Sequence, residues 1–210
     1  MPHPNRVQPD GTFLATKARG TMMGNRGMLH DAGGTIGNRR WVGKNWVCCV
    51  LSFKGRRRAI LAPGRYTELF FLDEAVALAA GHRPCAECRR ADYDAWCAAW
   101  ATAFGAREGA QVMDDRLHAA RALPGARRLR HETGAAKDLP EGSFFASDGR
   151  PYLVTHQGAL PYAPEGYGPP ESLPPDDVTI LTNPVTRAVL AAGYGPATHP
   201  KAVRPPSHPS

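Results

Sequence analysis

The 210-residue sequence has only five cysteines, and it lacks a long apolar run. An odd and unevenly spaced set of cysteines does not build a disulfide framework, so we expect reduced thiols in a cytoplasmic protein. No stretch approaches the roughly 20 apolar residues that cross a membrane, and the first residues have no apolar region of a secretory signal. The length suits one large domain or two small ones.

The excess of basic side chains is confined to the first half of the chain. The net charge is +7, and residues 1–105 hold 15 Lys and Arg against 8 Asp and Glu, whereas residues 106–210 hold 11 of each. A basic half beside a neutral half is typical of a protein that binds a polyanion such as DNA, although a GC-rich coding bias towards arginine would produce the same excess. We expect a basic domain at 1–105, a neutral β-rich domain at 106–200 and a disordered tail at 201–210.

The first half of the sequence predicts a small antiparallel sheet. The first 45 residues are rich in glycine and indicate ordered turns more than regular structure. Three β-rich segments follow, which are expected to form strands at 46–53, 56–61 and 66–71. Lys54 and Gly55 are a tight-turn signal, so the first two of these strands are expected to pair as a hairpin.

Helices and a second β-rich portion are expected after this sheet. Asp73 is a helix-capping residue and Gly81 is a helix stop, whereas Pro84 is expected to open a longer second helix. In the second half, Asp148 and Gly149 lie between two apolar segments, which predicts a hairpin. The expected fold class is therefore α+β, with a small antiparallel sheet, helices and a cysteine-bearing zinc knuckle, followed by a second β-rich portion.

The segment GHRPCAECRR at 81–90 places Cys85 and Cys88 one helical turn apart. Such a pair suits a redox site, a zinc deaminase or a zinc site. A redox pair usually follows the first strand of a βαβ unit, whereas three strands and a helix precede this one. A zinc deaminase has an H-x-E motif upstream of P-C-x-x-C, and this sequence has none. The pair therefore favours a bound zinc ion.

A tetrahedral zinc site needs ligands beyond this pair, with each sulfur about 2.3 Å from the metal. Cys48 and Cys49 are neighbours on an expected strand, so their side chains point to opposite faces and only one reaches the site easily. Cys49 is the preferred ligand, because its face of the strand is the more apolar one. The fourth ligand stays open between Cys48, His30, His82 and a water molecule.

The segment YTELFFLDEAVALAAGHRPCAEC at 66–88 resembles the metal-binding domain of the Ada family of DNA-repair proteins. In that family a cysteine-bearing hairpin is followed by an aromatic-rich strand, a short helix and the motif G-[YFH]-R-P-C-x-x-C, and the resemblance covers about residues 46–92. It implies a structural zinc held by Cys85, Cys88 and a hairpin cysteine, in a domain that contacts DNA phosphate. In Ada proteins a zinc-bound cysteine accepts a methyl group from a phosphotriester. Their first ligand pair is C-x3-C, where this sequence has adjacent Cys48 and Cys49. The wider pattern also resembles a group of bacterial proteins.

Basic side chains near the cysteine pair are candidates for contacts with DNA. Arg56 and Arg58 share one face of an expected strand beside Lys54, where they would straddle phosphates. An edge strand that is kept charged to avoid sheet pairing is the alternative. Arg89 and Arg90 directly follow the cysteine pair, so the same surface is predicted to include them.

Three side chains are candidates for catalysis: Glu68, His30 and Asp31. Glu68 lies in an apolar strand, where a carboxylate needs a partner. An ion pair with Arg65 or Arg83 is one interpretation, and a general base is the other. His30 and Asp31 are adjacent in a glycine-flanked loop, and they form either a catalytic pair or a turn.

Three functions therefore stay open. The first is a zinc protein that binds DNA and has a role in repair or modification. The second is a metal-containing enzyme that acts on nucleic acid, of a hydrolase-like or glycosylase-like kind, and the third is a zinc-stabilised module that binds a partner. Salt-sensitive DNA binding without turnover indicates the first, product formation that depends on Glu68 indicates the second, and the absence of both indicates the third.

Overall fold

The computed structural model describes residues 1–55, 59–125 and 127–199. These residues form four α-helices and two six-stranded sheets, so the α+β prediction is confirmed. The tail expected at 201–210 lies outside the described residues. In the part of the chain that is described, no helix has the length and apolar content to cross a membrane.

The first sheet consists of six short strands from the N-terminal half. Their order across the sheet is β2 (Phe13–Leu14), β1 (Arg6–Val7), β5 (Leu69–Phe71), β3 (Met22–Asn25), β4 (Val47–Val50) and β6 (Arg83–Pro84). β3 is antiparallel to both of its neighbours, β5 and β4, and β6 is parallel to β4. The hairpin predicted between 46–53 and 56–61 falls partly outside the described residues, because 56–58 are not described; residues 59–61 belong to no strand, and β4 pairs with β3 and β6.

The second sheet is antiparallel throughout and belongs to the C-terminal half. Its order is β11 (Gly166–Tyr167), β10 (Gly158–Ala163), β9 (Arg150–Thr155), β8 (Phe144–Ser147), β12 (Asp177–Ile180) and β7 (Glu132–Ala135). The predicted hairpin is confirmed, since Asp148 and Gly149 join β8 to β9. Both turn residues have positive φ, 49° and 77°, which the tightest hairpin turns require.

The four helices are α1 (Glu74–Ala79), α2 (Arg90–Phe104), α3 (Ala110–Arg121) and α4 (Pro184–Ala191). Asp73 caps α1 as predicted, because its Oδ1 accepts a hydrogen bond from Val76 N at 2.9 Å. The prediction that a helix begins at Pro84 is wrong, because Pro84 lies in β6. Cys85 N donates to Cys48 O at 3.0 Å, which holds this segment extended beside β4. The cysteine pair therefore lies in the turn between β6 and α2.

Of the three hydrophobic cores among the described residues, two contain residues from both halves of the chain and the third lies within the second half. One core lies between the sheets around α1, and it includes Leu69 and Phe71 of the first sheet together with Phe144 and Leu153 of the second. Another core joins α2, α3 and α4, with residues from 78 to 194. Both cores contain residues from either side of position 105, and the domain division at that residue stays a prediction.

Candidate metal centre

β4 presents Cys48 and Cys49 on opposite faces of the first sheet. Cys48 is fully buried in the core against α1, and its Sγ lies 3.5 Å from Arg89 Nη1. Cys49 is half-buried on the other face, on the same side of the strand as the exposed Leu51. Val47, Leu51 and Phe53, the apolar side chains expected beside Cys49, line a pocket together with it, whereas α1 packs on the face of Cys48.

Cys49 meets the cysteine pair on the outer face of the sheet. The sulfur atoms of Cys49, Cys85 and Cys88 all lie within 4.8 Å of one another, and all three residues are half-buried. Three thiolates bound tetrahedrally at about 2.3 Å from one zinc ion are about 3.8 Å apart, so small side-chain movements suffice to bring these sulfur atoms around one ion. The three-cysteine group is therefore able to hold a metal ion.

The backbone around the cysteine pair supplies donors to the sulfur atoms. The N–H groups of Glu87 and Cys88 donate to Cys85 Sγ, and the N–H of Val50 donates to Cys88 Sγ. Donors of this kind orient metal ligands and stabilise their anionic form. They exist here because the chain turns sharply after β6, which aims successive amides at the side chain of Cys85.

These hydrogen bonds separate the pKa values of the three thiols. A hydrogen bond from the Cys49 thiol, together with the two backbone donors, lowers the pKa of Cys85 to about 5 although burial acts in the opposite direction. Donation to Cys85, followed by burial, raises the pKa of Cys49, and burial raises the pKa of Cys88. Cys85 is therefore the sulfur that carries negative charge most readily, as the attraction of a cation requires.

The three side chains considered as a fourth ligand lie elsewhere. Cys48 points into the core. His30 is held by Thr67, whose Oγ1 is 2.6 Å from Nδ1, and by Ala62, whose carbonyl oxygen is 3.2 Å from Nε2. His82 is fully buried, and its Nδ1 is 3.3 Å from a carbonyl oxygen of α1. Among the described residues, the three sulfur atoms thus leave one position of a tetrahedral ion open.

The three cysteines line a pocket of about 720 Å³ on the outer face of the sheet. Cys49 is opposite Met23 on β3, and Met23 is in turn opposite Phe70 on β5, so these three side chains form a row across the pocket. The remaining lining is largely apolar or aromatic and includes Val47, Val50, Leu51, Phe53, Ile60 and Tyr66.

Glu68 lies at the end of the pocket nearest β5, on the same side of the chain as Phe70. It is 5% exposed, and its Oε2 accepts a hydrogen bond from Leu61 N at 2.9 Å. Leu61 has a φ of 59°, a left-handed conformation that costs about 1–2 kcal/mol for a residue other than glycine.

The ion pair proposed between Glu68 and Arg83 is wrong, because Arg83 donates to both carboxylate oxygens of Asp114 at 2.8 Å.

His30 and Asp31 have the hydrogen bonds of an ordered turn. Leu29 N donates to Thr67 Oγ1 at 2.7 Å. The Ala62 carbonyl only accepts, so in the neutral ring His30 Nε2 carries the hydrogen and Nδ1 accepts from the Thr67 hydroxyl. Asp31 is exposed, and its Oδ1 accepts from the backbone N–H of Gly33 at 2.9 Å. The structure thus brings Glu68 to the cysteine pocket, whereas His30 and Asp31 do not line it.

Arg89 is buried rather than available to DNA. Its side chain is 3% exposed and donates to both carboxylate oxygens of Glu74 at 2.8 Å and to Asp92 at 2.9 Å. Glu74 also accepts from Tyr194 Oη at 2.6 Å, so this ion pair joins α1, α2 and the C-terminal segment. The sequence analysis missed Glu74, because no local signal links it to a partner 15 residues away.

The other basic candidates differ from Arg89. Lys54 and Arg90 are exposed, and Lys54 follows Phe53, which lines the pocket. Arg56 and Arg58 lie outside the described residues.

Comparison with known proteins finds no matching family model, no matching curated protein and no matching solved structure. The likeness of residues 46–92 to the Ada metal-binding domain therefore remains a prediction that rests on the motif itself.

Proposed function

We propose that the protein binds one zinc ion through Cys49, Cys85 and Cys88. Three sulfur atoms within 4.8 Å of one another and the backbone donors to two of them support this assignment. Thiolate ligands favour zinc over the hard cations magnesium and calcium, which take oxygen ligands. All five cysteines are free thiols, as expected in a reducing cytoplasm, and we place the protein there.

We propose further that the face bearing the zinc ion binds DNA, in a role in repair or modification. The observation that carries this proposal is a set of exposed basic side chains around the pocket. Lys54, Arg65 and Arg90 are exposed, and each is within two residues of a side chain that lines the pocket. Among the described residues they form no ion pair, whereas Lys44 and Arg107 each have a carboxylate within 3.0 Å.

Basic side chains without carboxylate partners are available to phosphates, and phosphate contacts supply most of the affinity of nonspecific DNA binding. The Ada-like motif supports the same conclusion, since the metal-binding domain of Ada proteins contacts DNA phosphate. A titration of labelled DNA with zinc-loaded protein at increasing salt tests the proposal. The logarithm of the binding constant should fall linearly with the logarithm of the salt concentration, and a protein that ignores DNA at low salt would overturn the proposal.

A zinc-dependent hydrolase that acts on nucleic acid is the second candidate. Glu68 favours it, because this carboxylate lines the same pocket as the three cysteines. Zinc enzymes keep one coordination position open for water, and several use a glutamate that is not a ligand to transfer protons. Release of a product from DNA by the wild-type protein and its loss in Glu68→Gln would support this candidate over simple binding.

A further inference from the structure

The pocket beside the cysteines changes in chemistry from its edge to its base. Lys54, Arg65 and Arg90 are exposed, and each is within two residues of a side chain that lines the pocket, whereas the exposed Glu87 is a lining side chain of opposite charge. Aromatic rings and aliphatic side chains form most of the lining, and the lining residue Glu68 is only 5% exposed, so we take its carboxylate as the buried base of the pocket. The Leu61 N–H fixes the orientation of this carboxylate. A ligand that fits must therefore carry negative charge outside, an apolar body within and N–H donors at its inner end.

This order of groups excludes several ligands. A free phosphate would be repelled by Glu68 at the base, and a purely apolar side chain of a partner protein would give that buried carboxylate no donor. A nucleotide has the required order, because its phosphate lies at one end, its ring has apolar faces and its outer edge carries N–H groups. A base stacks on aromatic side chains regardless of its identity.

We propose that the pocket receives one unstacked base of a DNA strand, whose N–H edge donates to Glu68; this rests on the DNA binding proposed above. The phosphates on either side of that base contact the basic residues at the opening. Guanine fits best, because it offers two adjacent donors, N1–H and the N2 amino group, to the two oxygens of one carboxylate. Thymine offers one N–H between two carbonyl groups, which a carboxylate repels.

The proposal is tested with three labelled single strands of about 12 nucleotides, all thymine except for one central position. That position holds guanine, thymine or an abasic site, and binding to zinc-loaded protein is followed by fluorescence anisotropy. The wild-type protein should bind the guanine strand about 5- to 150-fold more tightly than either of the others, the range for one bidentate contact to a base.

Glu68→Gln should bring the guanine and thymine strands close to equal affinity, because an amide presents one donor and one acceptor to guanine. Glu165→Gln is the matched control, since it removes the same charge from an exposed position between β10 and β11. This control should retain the preference for guanine. Zinc content and thermal unfolding show whether Glu68→Gln is folded. If it is not folded, the proposal is tested by the wild-type protein alone, from its affinity for the guanine strand relative to its affinity for the abasic strand.

The two proposals fail in different ways. Equal affinity of the wild-type protein for all three strands would overturn the base pocket while leaving DNA binding intact. A preference for guanine that survives in folded Glu68→Gln would also overturn it. No binding to any strand at low salt would instead overturn the proposed function, and the base pocket with it.

Discussion

Cys48 and Cys49 are adjacent in sequence, yet one sulfur lies in the core and the other in the three-cysteine group. Cys48 Sγ is 3.5 Å from the buried guanidinium of Arg89, whereas Cys49 Sγ is within 4.8 Å of the sulfur atoms of Cys85 and Cys88. A strand separates two neighbouring side chains in this way because they project to opposite faces. The two cysteines therefore do not act as a ligand pair, and the C-x3-C pair of Ada proteins has no equivalent here.

Arg89 and Arg90 should respond very differently to substitution. Arg89→Ala leaves the Glu74 carboxylate buried without its main partner, so it should lower the free energy of unfolding by about 3–5 kcal/mol. Arg90→Ala removes an exposed side chain and should change the free energy of unfolding by less than about 0.5 kcal/mol. Urea denaturation of the zinc-loaded proteins measures both values. Equal stability of the two variants would contradict the structural role of Arg89.

DNA binding should lose salt dependence as basic residues around the pocket are removed. Each phosphate contact contributes about −0.9 to the slope of log K against log salt on duplex DNA. Lys54→Ala and Arg90→Ala should each reduce the magnitude of the slope by about this amount without changing the zinc content. Arg107→Ala is the control, because Arg107 already pairs with Asp94 at 3.0 Å.

Arg56 and Arg58 can be tested in the same way, although they lie outside the described residues. The sequence predicts that they contact phosphates. The double substitution to alanine should therefore reduce the magnitude of the slope of log K against log salt by about one to two units. An unchanged slope would leave these two arginines as solubilising charges of the surface.

Acid should destabilise the protein through His82. Burial, reinforced by Arg26 and Arg121, lowers the pKa of His82 well below its ordinary value, so the folded protein keeps this ring neutral. The unfolded chain takes up a proton below about pH 6.5, and the stability that neutral His82 provides is therefore lost as the pH falls below that value.

His82→Gln does not titrate at this position, so its stability difference from the wild-type protein should shrink as the pH falls from about 7.5 to about 5. The upper limit of this change is about 1.36 kcal/mol per pH unit. Burial also lowers the pKa of His118 and His131. The wild-type protein and the His82→Gln variant both retain these two residues, so their contribution cancels in the stability difference. A difference that stays constant with pH, measured by urea denaturation, would contradict a neutral buried His82.

The features that were predicted correctly depend on local chemistry. Asp73 caps a helix three residues from its partner, and Asp148 and Gly149 form a turn within two residues. The spacing of Cys85 and Cys88 likewise predicts, from a segment of four residues, two sulfur atoms close enough to share one ion. In each case the residues that interact are close in sequence, so the pattern itself contains the interaction.

The features that were missed depend on residues distant in sequence. β4 pairs with β3, which precedes it by more than 20 residues, whereas the sequence analysis expected its partner a few residues later in the chain. Arg89 and Arg90 look equivalent in the sequence, and only the position of Glu74 on α1 buries one of them. The core face of β4 is likewise set by α1, which comes later in the chain, so the sequence of β4 alone does not identify it.

Metal analysis of purified protein tests the central claim most directly. Wild-type protein and Cys48→Ala should each carry about one zinc ion per chain, whereas Cys49→Ala and Cys85→Ala should lose the metal and unfold more easily, because ligand binding contributes to folding free energy. Wild-type protein that contains no metal and instead cycles through a Cys85–Cys88 disulfide would contradict the account. So would a Cys48→Ala variant that loses zinc while Cys49→Ala retains it.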